Sequence, residues 1–347
     1  MTAEDTAPIR EEERFDEDRV AAYLHEHLPD VVGGAEIEFR QFPGGKANLT
    51  YLARAGDTEL VLRRPPLGET APGAHDMHRE HTVLSVLHRA YPEAPRAYLY
   101  CEDPSVMGKP FFVMERRTGH VIREEWPDDL PDTPGWRREL AGSVVDALAD
   151  LHLVDYEELG LADLGRPDGF VARQVRGWTD RWRRAMTEDV PAMETLADRL
   201  ADDVPEPQAA VLLHNDYKLD NVMVDADATV VAVFDWDMAT LGDPLVDLGT
   251  AVAYWAGPGD VLYPLFGDQG HTLAPDMPAS EVVERYAERT GFTVEHIAYY
   301  RAFAMFRIAV IVQQLHARWR RGETSDDRFA PLGAMVPPIA EVALDLG

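Results

Sequence analysis

One segment in the middle of the chain combines the residue types that phosphoryl transfer to a hydroxyl requires. His214, Asp216, Lys218 and Asn221 follow one another with the spacing H-x-D-x-K-x-x-N. A carboxylate can orient a hydroxyl and accept its proton, and an amide oxygen further along the same loop can reach Mg²⁺. A lysine adds a compact positive charge that stabilises the transferring group. We therefore predict that Asp216 and Lys218 are catalytic and that Asn221 binds the metal.

A second group of acids follows an apolar run that we expect to be a strand. The run Val230–Phe234 ends in Asp235-Trp236-Asp237, which places carboxylates at a strand end. Hard cations prefer such oxygen ligands. Asp235 is the predicted metal ligand, with Asp237 as a second contact. Any one of these acids could be an ordinary turn residue in an Asp-rich chain, but their joint spacing favours a site.

The elements that must position these residues divide the chain into two parts. Alternating apolar residues from Ile37 to Arg63 predict an antiparallel meander, and 79–88 has helical spacing. A strand at 111–114 precedes a mainly helical region. We expect helices near 137–153, 170–187, 190–202, 246–256, 279–290 and 294–321, and strands at 210–213, 222–224 and 229–234.

This order predicts an α+β fold with two lobes and a cleft between them. The expected organisation is a disordered tail over residues 1–14, an N-terminal nucleotide-binding lobe over 15–116 with a small antiparallel sheet, and a mainly helical C-terminal lobe over 117–347. The C-terminal lobe carries the catalytic loop and the substrate pocket.

Composition excludes several classes of protein. The formal charge of −29 repels phosphate backbones and anionic membrane surfaces, so we expect no nucleic acid and no membrane as partner. The longest apolar stretch, Ile297 to Leu315, contains Arg301 and Arg307 and is expected to be a buried helix. A single cysteine, Cys101, excludes an internal disulfide, and the polar N-terminus resembles no signal peptide. We expect a cytoplasmic protein whose oligomeric state the sequence leaves open.

These motifs resemble the aminoglycoside phosphotransferase and choline kinase group, which shares the protein-kinase-like fold. Within the group, the chain looks most like the kinase-like domains related to those fused to acyl-CoA dehydrogenases. The resemblance runs from about Phe39 onward. Its residues are 44–51 (GGKANLTY), 61–66 (VLRRPP), 112–115 (FVME), Leu151-His152, 214–221 (HNDYKLDN), 234–237 (FDWD), 242–244 (GDP) and Asp247-Leu248.

The resemblance implies ATP and Mg²⁺ as cofactors, Asp216 as base, and Asn221 and Asp235 as magnesium ligands. It places Arg63, paired with Glu80, at the nucleotide phosphates, where protein kinases have lysine. It further implies nucleotide contacts from Gly44, Gly45, Lys46 and Asn48, and from the strand ending at Met114 and Glu115. Neither ATP nor GTP is specified by side chains. His152 is expected to be a satisfied buried histidine, and Asp243 and Asp247 to orient the loop through backbone hydrogen bonds.

The predicted function is a kinase that phosphorylates a hydroxyl of a small molecule. A protein kinase is disfavoured because Asp235-Trp236-Asp237 replaces D-F-G and no A-P-E segment follows. Two alternatives stay open, an aminoglycoside O-phosphotransferase and a nucleotide-binding protein without turnover. Two helices, around Arg173–Arg184 and Tyr299–Arg307, are basic and aromatic in an acidic chain. If they line the acceptor pocket, they favour a hydroxy acid or hydroxyacyl thioester, whereas the alternative is that they form salt bridges and fill the core.

Overall fold

The computed structural model describes residues 6–43, 48–67, 76–123, 126–266, 273 and 276–346. The chain divides into two compact units. The first comprises residues 1–121, 157–161 and 221–239, and the second 122–156, 162–220 and 240–347. The boundary between units therefore passes through the catalytic loop, after Asp220. The predicted domain limits differ from this division, because the strands that follow the loop pair within the first unit.

The first unit is built on an antiparallel sheet with the strand order β1-β2-β3-β5-β4. Its strands are β1 (Ile37–Gln41), β2 (Leu49–Ala55), β3 (Thr58–Arg64), β4 (Ala97–Cys101) and β5 (Phe111–Glu115). Its helices are α1 (Glu17–His27), α2 (Pro29–Val32), α3 (Met77–Leu87) and α4 (Pro104–Met107). Asp16 and Asp76 cap α1 and α3 by accepting the amide of the third residue on, which satisfies an otherwise orphaned donor.

A second, smaller sheet in this unit has the order β6-β8-β9. It contains β6 (His120–Val121), β8 (Val222–Val224) and β9 (Val230–Val233). Val233 donates its amide to the carbonyl of Glu93 at 2.8 Å, which ties β9 to the segment after α3. This arrangement carries the metal-ligand candidates at the ends of β8 and β9.

The start of the described chain differs from the expected tail. Ala7 and Gln41 exchange backbone hydrogen bonds of 2.8 and 2.9 Å, and Ile9 is buried in the core. The buried Arg64 guanidinium donates to the carbonyl of Glu13 and to the hydroxyl of Tyr51. Residues 6–14 are therefore packed, because a buried cation needs acceptors and this segment provides one.

The second unit is mainly helical. Its helices are α5 (Pro134–His152), α6 (Phe170–Ala185), α7 (Pro191–Asp202), α8 (Leu245–Tyr254), α9 (Tyr263–Phe266), α10 (Ala279–Thr290), α11 (Ile297–Arg320) and α12 (Val336–Asp345). Strands β7 (Val211–Leu213) and β10 (Thr240–Gly242) pair antiparallel beside them. The predicted helices thus lie within a few residues of the observed ones. The elements that were not predicted are β10, α9 and α12 in this unit and β4, β6, α2 and α4 in the first.

Helices α8 and α11 approach closely at Gly249. A Cβ at this position would lie 2.6 Å from the backbone carbonyl carbon of Tyr300, so only glycine permits this contact. Helix α11 contains the long apolar stretch and is largely buried, as expected. Among the described residues, no helix is both long and apolar enough to cross a membrane.

Candidate active site

The catalytic loop begins where β7 ends, and one buried carboxylate fixes its backbone. Asp247, in the first turn of α8, accepts the amide of His214 at 2.6 Å and the amide of Asn215 at 2.8 Å. Asp243 likewise accepts the amides of Gln208 and Leu245. The prediction that Asp247 orients the loop through backbone hydrogen bonds is confirmed, whereas the amides that Asp243 accepts lie before β7 and at the start of α8.

His152 contacts the carboxylate of Asp247 that fixes the loop. Its Nε2 lies 3.3 Å from Asp247 Oδ2, and its Nδ1 lies 2.6 Å from the hydroxyl of Tyr286. The side chain is buried, so both ring nitrogens find partners within the protein. The prediction of a satisfied buried histidine is confirmed.

The two residues predicted to be catalytic form an ion pair. The Nζ of Lys218 lies 3.1 Å from Asp216 Oδ2, and both side chains are partly exposed. Burial acts to lower the pKa of Lys218, but Asp216, Tyr254 and Asp220 together raise that pKa above its ordinary value. Lys218 is therefore a cation beside the Asp216 carboxyl group, in the second unit.

Two neighbours of this pair were not found from the sequence. Asn215 adopts a left-handed conformation with φ of +66°, which turns the chain immediately before Asp216. The buried Arg307 donates from Nη2 to the carbonyl of Asn215 at 3.0 Å. Asn is a type that tolerates this conformation, which was the one available signal; the Arg307 contact is too distant in sequence to infer.

In the first unit, the small sheet brings together two predicted metal ligands. The amide of Phe234 donates to the carbonyl of Asn221 at 2.9 Å, beside the paired Val222 and Val233. Asp235 follows directly, with φ of +69°. A positive φ is uncommon for a residue with a Cβ and marks a position held by its surroundings.

Arg63 links Asp235 to α3. Its Nη1 lies 2.7 Å from Glu80 Oε1, and its Nη2 donates to Asp235 Oδ1. The predicted ion pair between Arg63 and Glu80 is thus confirmed. Burial acts against the charge of Arg63, but Glu80 and Asp235 raise the pKa of its guanidinium.

Acidic side chains outnumber basic ones in the cluster around Arg63. Burial raises the pKa of Glu80 to about 8; Arg63 opposes this shift, and Asp235 and Asp237 add to it. One guanidinium therefore lies among three acidic side chains, and burial favours the protonated form of Glu80 near neutral pH. Within the described residues no three His, Cys, Asp or Glu side chains form a ready metal cage. Mg²⁺ commonly uses one or two carboxylates together with substrate phosphates, so this donor set fits it.

We expect the Arg63 and Glu80 side chains to be energetically coupled. Arg63→Ala and Glu80→Ala should each raise the apparent KM for ATP, and the double variant should lose less than the sum. The reason is that each single change leaves a buried charge without its partner. A coupling of about 2 kcal/mol is expected in a double-mutant cycle on kcat/KM. Additive losses would show that the two residues act independently.

The other residues predicted to contact the nucleotide lie before β2 and in β5. Gly44, Gly45 and Lys46 lie outside the described residues. Asn48 is buried just before β2. Met114 is paired to Val61 of β3 and Ala97 of β4, and the amide of Glu115 donates to the carbonyl of Arg96 at 2.9 Å. Because β5 is flanked on both edges, a nucleotide contact by its backbone would have to lie at or beyond its end.

Some arginines of the two basic, aromatic helices form salt bridges, and others make different contacts. Arg183 pairs with Glu194 at 2.9 Å, and Arg301 pairs with Asp260 at 3.0 Å. Both contacts agree with the salt-bridge alternative. Arg307 instead stacks on the rings of Trp178 and Phe303, at 5.5 and 5.8 Å from their centroids. The aromatic residues Trp178, Trp182, Phe303 and Phe306 are buried, as the core-filling alternative predicts, whereas Arg307 has no carboxylate partner among the described residues.

An antiparallel sheet in the first unit and a mainly helical second unit are the elements of the protein-kinase-like fold. A family model described as the phosphotransferase enzyme family (APH) matches residues 38–320. The chain belongs to this family, and it is a small-molecule kinase, as the resemblance implied.

Relatives and solved structures agree with this assignment. The chain is 32% identical to acyl-CoA dehydrogenase family member 11 of Gallus gallus over 98% of its own length and 44% of that protein. It is 32% identical to family member 10 of Mus musculus, over 98% and 32%. The chain thus spans less than half the length of these curated relatives.

Among solved structures, a Ralstonia eutropha JMP134 protein classed with the aminoglycoside phosphotransferases is 30% identical, with a TM-score of 0.81 and coverage of 96% of this chain and 98% of that one. A hygromycin B complex of APH(4)-Ia with ADP is 17% identical, with a TM-score of 0.60 over 94% and 98%. At that identity the second likeness supports the fold alone.

Proposed function

We propose that this kinase transfers the γ-phosphate of ATP, with Mg²⁺, to a hydroxyl of an acyl compound, either a hydroxy acid or a hydroxyacyl thioester. The observation that carries the phosphotransfer part is the Asp216–Lys218 pair on a loop whose backbone Asp247 fixes. Such a loop holds a base in place with little reorganisation, which is what transfer to a hydroxyl requires.

Each proposed residue has one role. Asp216 orients the acceptor hydroxyl and takes its proton as the oxygen attacks the γ-phosphorus. Lys218, already a cation beside Asp216, stabilises the charge on the transferring group. Asn221 and Asp235 would hold Mg²⁺, which when bound neutralises charge on the nucleotide phosphates. Arg63, fixed by Glu80, would contact those phosphates.

The charges in the second unit support an anionic or neutral acceptor over a polycation. Lys218, Arg307 and Arg181 are cations on the elements beside Asp216, and Arg181 stacks on Trp178 at 4.4 Å. A polycationic aminoglycoside would need clustered carboxylates at its binding site. The names of the curated relatives, which refer to acyl-CoA dehydrogenases, point in the same direction.

An aminoglycoside acceptor is the second candidate. Its support is the Ralstonia eutropha protein, which is 30% identical and is classed with the aminoglycoside phosphotransferases. The net charge of −29 would also favour the approach of a cation over long distances.

Comparing acceptors directly tests the proposal. Purified protein with ATP and Mg²⁺ should consume ATP faster with hydroxy acids or hydroxyacyl-CoA than with aminoglycosides of the kanamycin type. The matched control is the same acyl compound without its hydroxyl, which should give only background hydrolysis. Preferential phosphorylation of the cationic drugs would overturn the acyl assignment and leave the kinase chemistry intact.

A further inference from the structure

Arg307 has more hydrogen-bond donors than the described protein satisfies. Its side chain is more than nine-tenths buried, and Nη2 donates to the Asn215 carbonyl at 3.0 Å. Within the part of the chain that the structure describes, it forms no ion pair and no other hydrogen bond. A guanidinium has five N–H donors, so Arg307 can donate to a further acceptor.

Trp178, on which Arg307 stacks, also has a hydrogen-bond donor that no described residue accepts. Its side chain is 5% exposed, and its indole N–H has no acceptor among the described residues. Buried indole N–H groups usually find a partner. The indole N–H on α6, which has no acceptor among the described residues, thus lies beside a guanidinium on α11 that has one. We call the guanidinium of Arg307 and the indole of Trp178 together the Arg307–Trp178 donor site.

Other arginines on the same helices have carboxylate or carbonyl acceptors, although the Nε of Arg301 also lacks an acceptor among the described residues. Arg183 and Arg301 each have a carboxylate partner, at 2.9 and 3.0 Å. Arg173 donates to the backbone carbonyls of Asp168 and Arg166. Arg307, which contacts the residue before the proposed base, thus differs from Arg183 and Arg301 in having no carboxylate partner among the described residues.

We propose that the Arg307–Trp178 donor site binds the oxygen atoms of the acceptor's acyl group, as a carboxylate or as a thioester carbonyl. This inference rests on the proposed function and specifies how its acceptor is recognised. Both oxygen types accept hydrogen bonds from a guanidinium and an indole N–H. The site selects a hydroxyl compound that carries an acyl oxygen over one that lacks it.

The surroundings fit a short acyl chain between this oxygen and the hydroxyl. Arg307 touches Asn215, and Asp216 is the next residue, so the acyl oxygen and the reacting hydroxyl would lie a few carbons apart. The rings of Trp178 and Phe303 flank the guanidinium and offer apolar faces for those carbons. Burial lowers the pKa of Arg307, and the charge of Asp216 opposes this shift.

Binding without phosphotransfer provides the first test. Calorimetry would measure the affinity of a short straight-chain fatty acid, its CoA thioester and the corresponding alcohol, none of which needs ATP. Arg307→Gln should weaken binding of the two acyl compounds about 50-fold, and Trp178→Phe, which keeps the ring, about 5-fold. The alcohol should bind weakly and equally to all variants. Arg318→Gln, at an exposed position of the same helix, is the control and should change nothing.

Steady-state kinetics separate recognition from simple support of the loop. Arg307→Gln should raise the KM of hydroxy acid or hydroxyacyl-CoA and spare the KM for ATP, and it should affect a diol of equal length much less. Greater loss for the acid than for the thioester would identify a carboxylate, and the reverse a thioester carbonyl. An equal fall in kcat for acyl and non-acyl acceptors would reduce Arg307 to a structural contact of Asn215.

The results of these two tests distinguish failure of the donor site from failure of the proposed function. If no acceptor is phosphorylated but acyl compounds bind and Arg307→Gln abolishes the binding, the donor site stands and the kinase assignment falls. If Arg307→Gln does not fold, as judged by circular dichroism, the Trp178→Phe variant tests the donor site in its place. Unchanged acyl affinity in a folded Trp178→Phe protein together with an unchanged ratio of acyl to alcohol binding would overturn the inference.

Discussion

Replacing Asp216 by Asn should lower kcat by about 10³-fold and leave the affinity for ATP nearly unchanged. The amide keeps the shape of the carboxylate but cannot take a proton from the acceptor hydroxyl. Asp247 holds the backbone amides of His214 and Asn215, so the loop should keep its conformation in the variant. Single-turnover kinetics with labelled ATP, combined with nucleotide binding by calorimetry, would measure both quantities.

The control for this variant is Asp227→Asn. Asp227 is an exposed acid on the turn between β8 and β9, and the change alters the same amount of charge. We expect wild-type kcat from it. Near wild-type turnover of Asp216→Asn with an otherwise good acceptor would remove Asp216 from its proposed role. A loss of ATP binding equal to the loss of kcat would mean that the change disrupts the loop and does not isolate the base.

Replacing Asp235 by Ala should weaken Mg²⁺-dependent binding of ATP by about 100-fold. The carboxylate is a proposed metal ligand and also the partner of Arg63, so its loss removes an oxygen donor and releases the guanidinium. Asn221→Ala should produce a smaller loss in the same direction, because it removes only the amide oxygen. Titrating Mg²⁺ at fixed ATP would separate metal affinity from nucleotide affinity.

Asp57→Ala is the matched control for the metal site. Asp57 lies on the exposed turn between β2 and β3 in the same unit, so it tests the effect of losing a negative charge from this unit in general. Its Mg²⁺ titration should match that of the wild type. Unchanged metal dependence in both Asp235→Ala and Asn221→Ala would contradict their assignment as ligands.

Local patterns predicted the parts of the site that a short stretch of chain contains. The loop from His214 to Asn221 and the acids after Phe234 were found because their spacing along the chain reflects the chemistry itself. Most helices of the second unit were found because each buries one face with a regular period. The pairing of Arg63 with Glu80 came from the family resemblance, since nothing local connects β3 to α3.

Contacts between distant residues account for what was missed. The segment before Arg14 was expected to be a tail because it is short and charged, but its pairing with Gln41 and its contact with Arg64 depend on the folded sheet. The contact between Arg307 and Asn215 spans 92 positions of the chain. Strand β4 was missed because it is a short edge strand whose middle residues are only half-buried, so it lacks a clear alternation.

The central claim is that this chain moves the γ-phosphate of ATP onto the hydroxyl oxygen of an acyl compound. The most direct measurement uses γ-labelled ATP with Mg²⁺ and a hydroxyacyl acceptor, and follows the label by mass spectrometry and phosphorus NMR. We expect the label on the acceptor's hydroxyl oxygen in the wild type and in Asp227→Asn, and none in Asp216→Asn. Label appearing only as inorganic phosphate, at a rate that the acceptor does not change, would contradict the account.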